Sequence, residues 1–99
     1  MSNLTYFDQV FTDVQEAKIW YKEQKEGLEV EFAIAIEKAI EQVLKMPSAY
    51  SPRYKNVRIA HPKIFPYNIH FYIDEANKSI VFTAIIHHKR DPKLFMNRV

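Results

Sequence analysis

At 99 residues, 47% of them hydrophobic and 14% aromatic, the chain carries enough apolar material for one ordered core but not for two, and its composition excludes a disordered polymer. The absence of cysteine excludes disulfides and thiolate metal sites, and suits a reducing compartment. The net charge of +2 conceals an asymmetry: residues 1–50 hold five Lys/Arg against nine Asp/Glu, and residues 51–99 hold nine against three. The basic C-terminal half is either a face that meets phosphate or an acidic partner, or a solvated face with no ligand.

Met1 to Gln9 has neither the basic start nor the apolar run of a secretion signal, and no stretch is apolar for long enough to cross a bilayer. The expectation is a cytoplasmic protein without membrane contact, folded as a single domain over residues 1–99. A core this small leaves a modest stability margin, so stabilisation by a partner is expected.

In chain order, Asn3 to Phe7 is the least patterned element, a short strand. Asp8 is placed to cap a helix running to about Gln24, with Val10, Val14, Ala17 and Tyr21 along one stripe that Phe11 and Trp20 widen. The lone glycine, Gly27, marks a helix C-cap or the turn of a helical hairpin. After it, Leu28, Phe32, Ala35, Ile36, Ala39, Ile40, Val43 and Leu44 keep helical spacing, while Glu29, Glu31, Glu37, Lys38, Glu41 and Gln42 make the opposite face polar. Pro47 stops this second helix.

From Pro47 to Pro52 the sequence reads as a loop, and then period-two patterns begin. Val57 and Ile59 alternate with polar or small residues in a short strand. Tyr67, Ile69, Phe71 and Ile73 alternate with Asn68, His70, Tyr72 and Asp74 in a half-buried one. Ile80 to His87 is apolar on both faces, with Ile80, Phe82, Ala84 and Ile86 set against Val81, Thr83 and Ile85, the pattern of a covered central strand. The expected architecture is α+β in the order β-α-α-β-β-β: a helical hairpin packed on a small antiparallel meander.

Several segments, taken together and at these spacings, resemble one family across nearly the whole chain. They are Ala17–Gln24 (AKIWYKEQ), Gly27-Leu28 with Phe32, Ile36–Pro47, Val57-Arg58 with Ala60, Phe65-Pro66-Tyr67, and Ala84–Pro92 (AIIHHKRDP). The chain resembles the RelE/ParE toxin superfamily of type II toxin–antitoxin systems, and within it the ParE-like, plasmid-stabilisation branch. The resemblance implies the fold above, no cofactor, and a cognate antitoxin whose C-terminal segment wraps the toxin. It also implies one of two activities: ParE-like members inhibit DNA gyrase, whereas RelE-like members are mRNA interferases that cut message in the ribosome. A third outcome is a degenerate toxin that acts only as a binding partner in autoregulation.

Metal-free RNA cleavage needs a base for the 2′-hydroxyl, an acid for the leaving oxygen and cations for the phosphate. If the chain is a nuclease, the residues offered are Arg58, Tyr67, His87 and Arg90, among the further basic groups Lys63, His88 and Lys89. Each has a plainer reading. Arg58 is equally a surface cation or antitoxin contact, His87 a partly buried structural histidine, and Arg90 a partner of Asp91 or a cap on the strand end. Phe65-Pro66-Tyr67 is a turn with packing aromatics, and Trp20 and Tyr21 are hairpin packing. Strand alternation sets His87 and His88 on opposite faces, which argues against a metal chelate, and His61 and His70 have no ligand partner at useful spacing. For a RelE-like nuclease the resemblance implies several Lys and Arg in the sheet's concavity and a further catalytic group near the C-terminus; here Phe95, Met96, Asn97, Arg98 and Val99 supply one basic residue and no Tyr or His, a departure that favours the ParE-like, gyrase-directed alternative.

Overall fold

The structure, a computed structural model, describes residues 3–98. Met1 and Val99, which close the two terminal stretches read above, and Ser2 lie outside the described residues, as do the side chains of Pro92, Leu94 and Met96. Two helices, α1 (Asp8–Gln24) and α2 (Leu28–Lys45), are followed and preceded by strands: β1 (Asn3–Tyr6), β2 (Pro52–Tyr54), β3 (Val57–Ala60), β4 (Tyr67–Asp74) and β5 (Ser79–His87). The sheet order is β1-β5-β4-β3-β2. The β3-β4-β5 meander is antiparallel, as alternation and short links require, and β1 joins β5 in parallel.

Gly27, at φ 93°, turns the chain between α1 and α2, a left-handed conformation that a residue without Cβ adopts freely. The hairpin thus formed lays its stripes on one face of the sheet. Val10 and Ala17 from α1, Phe32, Ile36, Ile40 and Val43 from α2, and Ile69, Phe71, Ile80, Phe82 and Ile85 from the sheet form one buried cluster. At one end of it Tyr21, Phe32, Phe65 and Tyr67 meet with ring centres 4.9 to 6.1 Å apart. Truncating the fully buried Phe32 to Ala would cost about 3–5 kcal/mol.

Four expectations are corrected. Asp8 is the first helical residue instead of the cap: Phe7 holds the cap position, and no side chain closes it. Phe11 and Trp20 do not widen the buried stripe. They are 62% and 56% exposed, because each lies roughly a quarter-turn to either side of the line through Val10, Ala17 and Tyr21 at 100° per residue. The loop from Pro47 contains a 3-10 turn at Pro47–Ala49 and an edge strand, β2, whose Pro52 and brevity give no alternation to read.

The fourth correction concerns β5. His70 pairs with Ala84 and Phe71 with Phe82, so Thr83 is an extra residue, a β-bulge. The bulge shifts the phase of the strand. Ile80 and Phe82 face the helices, and so does Ile85, while Ala84 and Ile86 belong to a second small cluster with Phe95 on the other side. The far face of the sheet is therefore partly covered by the C-terminal 3-10 segment Pro92–Arg98 and is not wholly free.

Candidate functional site

Tyr67 opens β4 and is the cross-strand partner of His87, which closes β5. Because the Thr83 bulge has already shifted the strand, His87 follows Ile85 onto the helix side and its ring meets Tyr67 edge-on, with centres 5.4 Å apart. The Arg90 N–H donates to the His87 carbonyl, which turns the chain back. Arg90, Tyr67 and His87, together with Asp13, Glu16 and Trp20 of α1, line a pocket of about 150 Å³. Three of the four residues proposed for nuclease chemistry are thus brought together.

Arg58 is not among them. Arg58 lies on β3 and pairs with Phe71 of β4, across that strand from β5 and His87. Its Nη1 donates to the Tyr50 carbonyl at 2.7 Å and to the Pro47 carbonyl at 3.5 Å, closing the turn after α2. Arg90 does not pair with Asp91 either: its guanidinium lies 5.0 Å from the centre of the Phe95 ring, while Asp91 Oδ1 accepts the Lys93 N–H.

Burial, together with the neighbouring Tyr21, pushes the Tyr67 hydroxyl up to about 12, and burial with the adjacent His88 and Lys89 lowers His87 below the usual histidine value. Both are neutral at neutral pH. The Lys89 N–H donates to His87 Nδ1 at 3.1 Å, so the ring proton of neutral His87 sits on Nε2. The pocket therefore sets the His87 ring N–H and the Arg90 guanidinium beside the carboxylates of Asp13 and Glu16, the Tyr67 hydroxyl is hydrogen-bonded to Tyr21, and the imidazole lone pair that a general base would use is already engaged.

The expectation that His87 and His88 point to opposite faces is corrected. β5 ends at His87, so alternation does not extend to His88, whose N–H and Nδ1–H both donate to the Pro66 carbonyl. The two imidazoles stack at 4.9 Å. Among the described residues no group of three or more His, Asp or Glu is placed to hold a metal ion, and no helix is long and apolar enough to cross a membrane.

A second feature is larger. Between α2 and the β3–β4 connection runs a groove of about 680 Å³, floored by Tyr21, Leu28, Ala35 and Ala39, walled by Phe65 and Pro66, and rimmed by Glu31, Lys38, His61 and Lys63. At its lip Ile64 is 96% exposed and sits at φ 74°. That combination is strained for a β-branched side chain and has no packing reason within the chain. Sequence reading missed Ile64; its one signal is an aliphatic residue in the short turn between Pro62 and Pro66.

The profile of the family described as "ParE toxin of type II toxin-antitoxin system, parDE" matches residues 6–92. No curated protein matches the sequence. Among solved structures, the chromosomal ParDE toxin–antitoxin system from P. aeruginosa contains a chain that superposes with a TM-score of 0.76 at 13% identity, over 88% of this chain and 96% of that one, a likeness of fold. With a helical hairpin on a five-stranded sheet and a family match across nearly its whole length, this chain belongs to the ParE toxin family of type II toxin–antitoxin systems.

Proposed function

We propose that the chain acts as a single-domain cytoplasmic toxin that binds a macromolecular target, DNA gyrase, without cutting it or RNA, and that a cognate antitoxin neutralises it. The observation that carries the non-enzymatic reading is the state of His87: its Nδ1 already accepts the Lys89 N–H, and its partner Tyr67 is held neutral by burial. Arg58, spent on the carbonyls of Tyr50 and Pro47, adds no cation to that pocket. The groove beside α2 supports the antitoxin half of the proposal. It is apolar within, basic on most of its rim, and lipped by the exposed Ile64, which suits an amphipathic segment with acidic flanks.

One observation favours a second reading, the ribosome-dependent endoribonuclease: Tyr67, His87 and Arg90 do converge on one pocket. Purified toxin tested in parallel in a gyrase supercoiling assay and in a translation extract separates the two. Inhibited supercoiling with intact message is the expected result. Codon-positioned cleavage that disappears in His87→Ala and Arg90→Ala overturns it. Inertness in both assays would leave a degenerate toxin that serves only in autoregulation.

A further inference from the structure

β1 ends at Tyr6, opposite Phe82, so beyond that point the outer edge of β5 has no neighbouring strand among the described residues. An open edge presents backbone groups that need partners. Two side chains from opposite ends of the chain supply them. From α1, Asp13 Oδ2 accepts the Ile85 N–H at 3.0 Å; from the C-terminal segment, Arg98 Nη1 donates to the Thr83 carbonyl at 3.0 Å. The two side chains also bind each other, Nη1 to Oδ2 at 2.7 Å and Nη2 to Oδ1 at 3.2 Å, with Arg98 and Asp13 only 17% and 10% exposed. The last turn of the chain is thereby fastened around the sheet edge to the first helix.

That segment does more than close an edge. Phe95, buried, covers Ala84 and Ile86 on the far face, and the guanidiniums of Arg90 and Arg98 lie 5.0 and 4.8 Å from its ring centre. Arg90 is in turn a wall of the Tyr67–His87 pocket, as is Asp13 itself. One ion pair and one aromatic ring thus hold both the segment and the position of Arg90. Phe95 and Arg98 lie beyond residue 92, where the family match ends.

Arg98 binds the Thr83 carbonyl and acts on the His70 ring, and among the described residues Thr83 Oγ1 and His70 Nε2 are buried without a hydrogen-bond partner; groups left so favour any opening that admits water to them. Among the described side chains, this short 3-10 stretch is tied to the sheet through Phe95 and Arg98, and a terminal unit of that kind has the character of one that opens without global unfolding.

We infer that residues 92–98 form a clasp that opens locally, and that Asp13 and Arg98 are positioning residues whose pairing sets Arg90 against Tyr67 and His87. Closure assembles the pocket; opening dissolves one wall of it and bares Ala84, Ile86 and the Thr83–Ile85 edge. The consequence for toxicity rests on the reading of that pocket as a target contact, but the clasp itself does not.

The test uses the full chain, with amide hydrogen exchange and the emission of Trp20, the chain's single tryptophan and a residue of the same pocket. In the wild type, residues 94–98 and the Ile85 amide should exchange well ahead of Ile69 and Phe71 in β4. Arg98→Met should speed Ile85 exchange on the order of tenfold and shift Trp20 emission while leaving β4 protection unchanged; Arg98→Lys should restore most of both. Asp13→Asn, which keeps an acceptor for the Ile85 N–H, should loosen residues 94–98 more than Ile85.

Exchange of the clasp at the same rate as β4 in the wild type, or equal acceleration of all amides in Arg98→Met, overturns the clasp. Unaltered Trp20 emission in Arg98→Met overturns the positioning role. Neither readout depends on the toxin's target, so failure of the gyrase proposal would be seen separately.

Discussion

Tyr54 Oη and His70 Nδ1 share a hydrogen bond of 2.8 Å on the face of the sheet turned away from the helices, and the imidazole is fully buried there. Burial, reinforced by Arg98 and also by Arg53 and His61, and opposed by Asp13, lowers His70 to about 4. In the unfolded chain the ring titrates near 6.5, so between those values the unfolded state binds more protons. The stability that His70 contributes is therefore complete above pH 6.5 and is lost as pH falls toward 4, by about 3 kcal/mol. Urea titrations of the wild type and His70→Gln across this range should converge in slope above pH 6.5. Their stability difference should change steadily below it, and a constant difference would contradict the account.

Arg58 is a structural cation. Its two bonds to the carbonyls after α2 predict that Arg58→Ala lowers stability by about 2 kcal/mol, with Arg58→Lys recovering part of it. Inhibition of the target, measured per folded molecule, should be unchanged. A variant as stable as the wild type but inactive would return Arg58 to the functional site.

Ile64 carries backbone strain at φ 74° and, 96% exposed, buries almost nothing in return. Asparagine tolerates the left-handed region better, so Ile64→Asn should stabilise the isolated toxin by about 1 kcal/mol. The same change removes an apolar lip of the groove and should weaken antitoxin binding. Calorimetry of toxin and of complex reads the two effects with opposite sign; a substitution that destabilises the free toxin speaks against stored strain.

At Gly27 a Cβ would meet nothing within 4 Å, so the cost of Gly27→Ala is conformational and not steric. At φ 93° that cost is about 1 kcal/mol. Thermal melts should show a small drop with an unchanged unfolding slope, whereas loss of the fold would mean that Gly27 has a contact role.

Much of the architecture was readable because it rests on local chemistry. The stripes of α1 and α2, the turn at Gly27, the stop at Pro47 and the alternation of β4 each follow from side-chain period or backbone freedom within a few residues. The Phe65-Pro66-Tyr67 turn was legible for the same reason. Of the site, Tyr67, His87 and Arg90 were named from their chemistry, and the antiparallel pairing of β4 with β5 brings them together.

What only the tertiary structure decided is long-range. The Thr83 bulge has no signature in a strand apolar on both faces, yet by shifting phase it sends Ile85 and His87 under the helices and leaves Ala84 and Ile86 to Phe95. Asp13 looks like any exposed helical acid until β1 stops short at Tyr6 and leaves the Ile85 N–H for it to accept. Arg98 reaches it from 85 residues away. Periodicity records which face a side chain prefers; which backbone groups are left unpaired, and which distant side chain answers them, is settled only when the strands have found their neighbours.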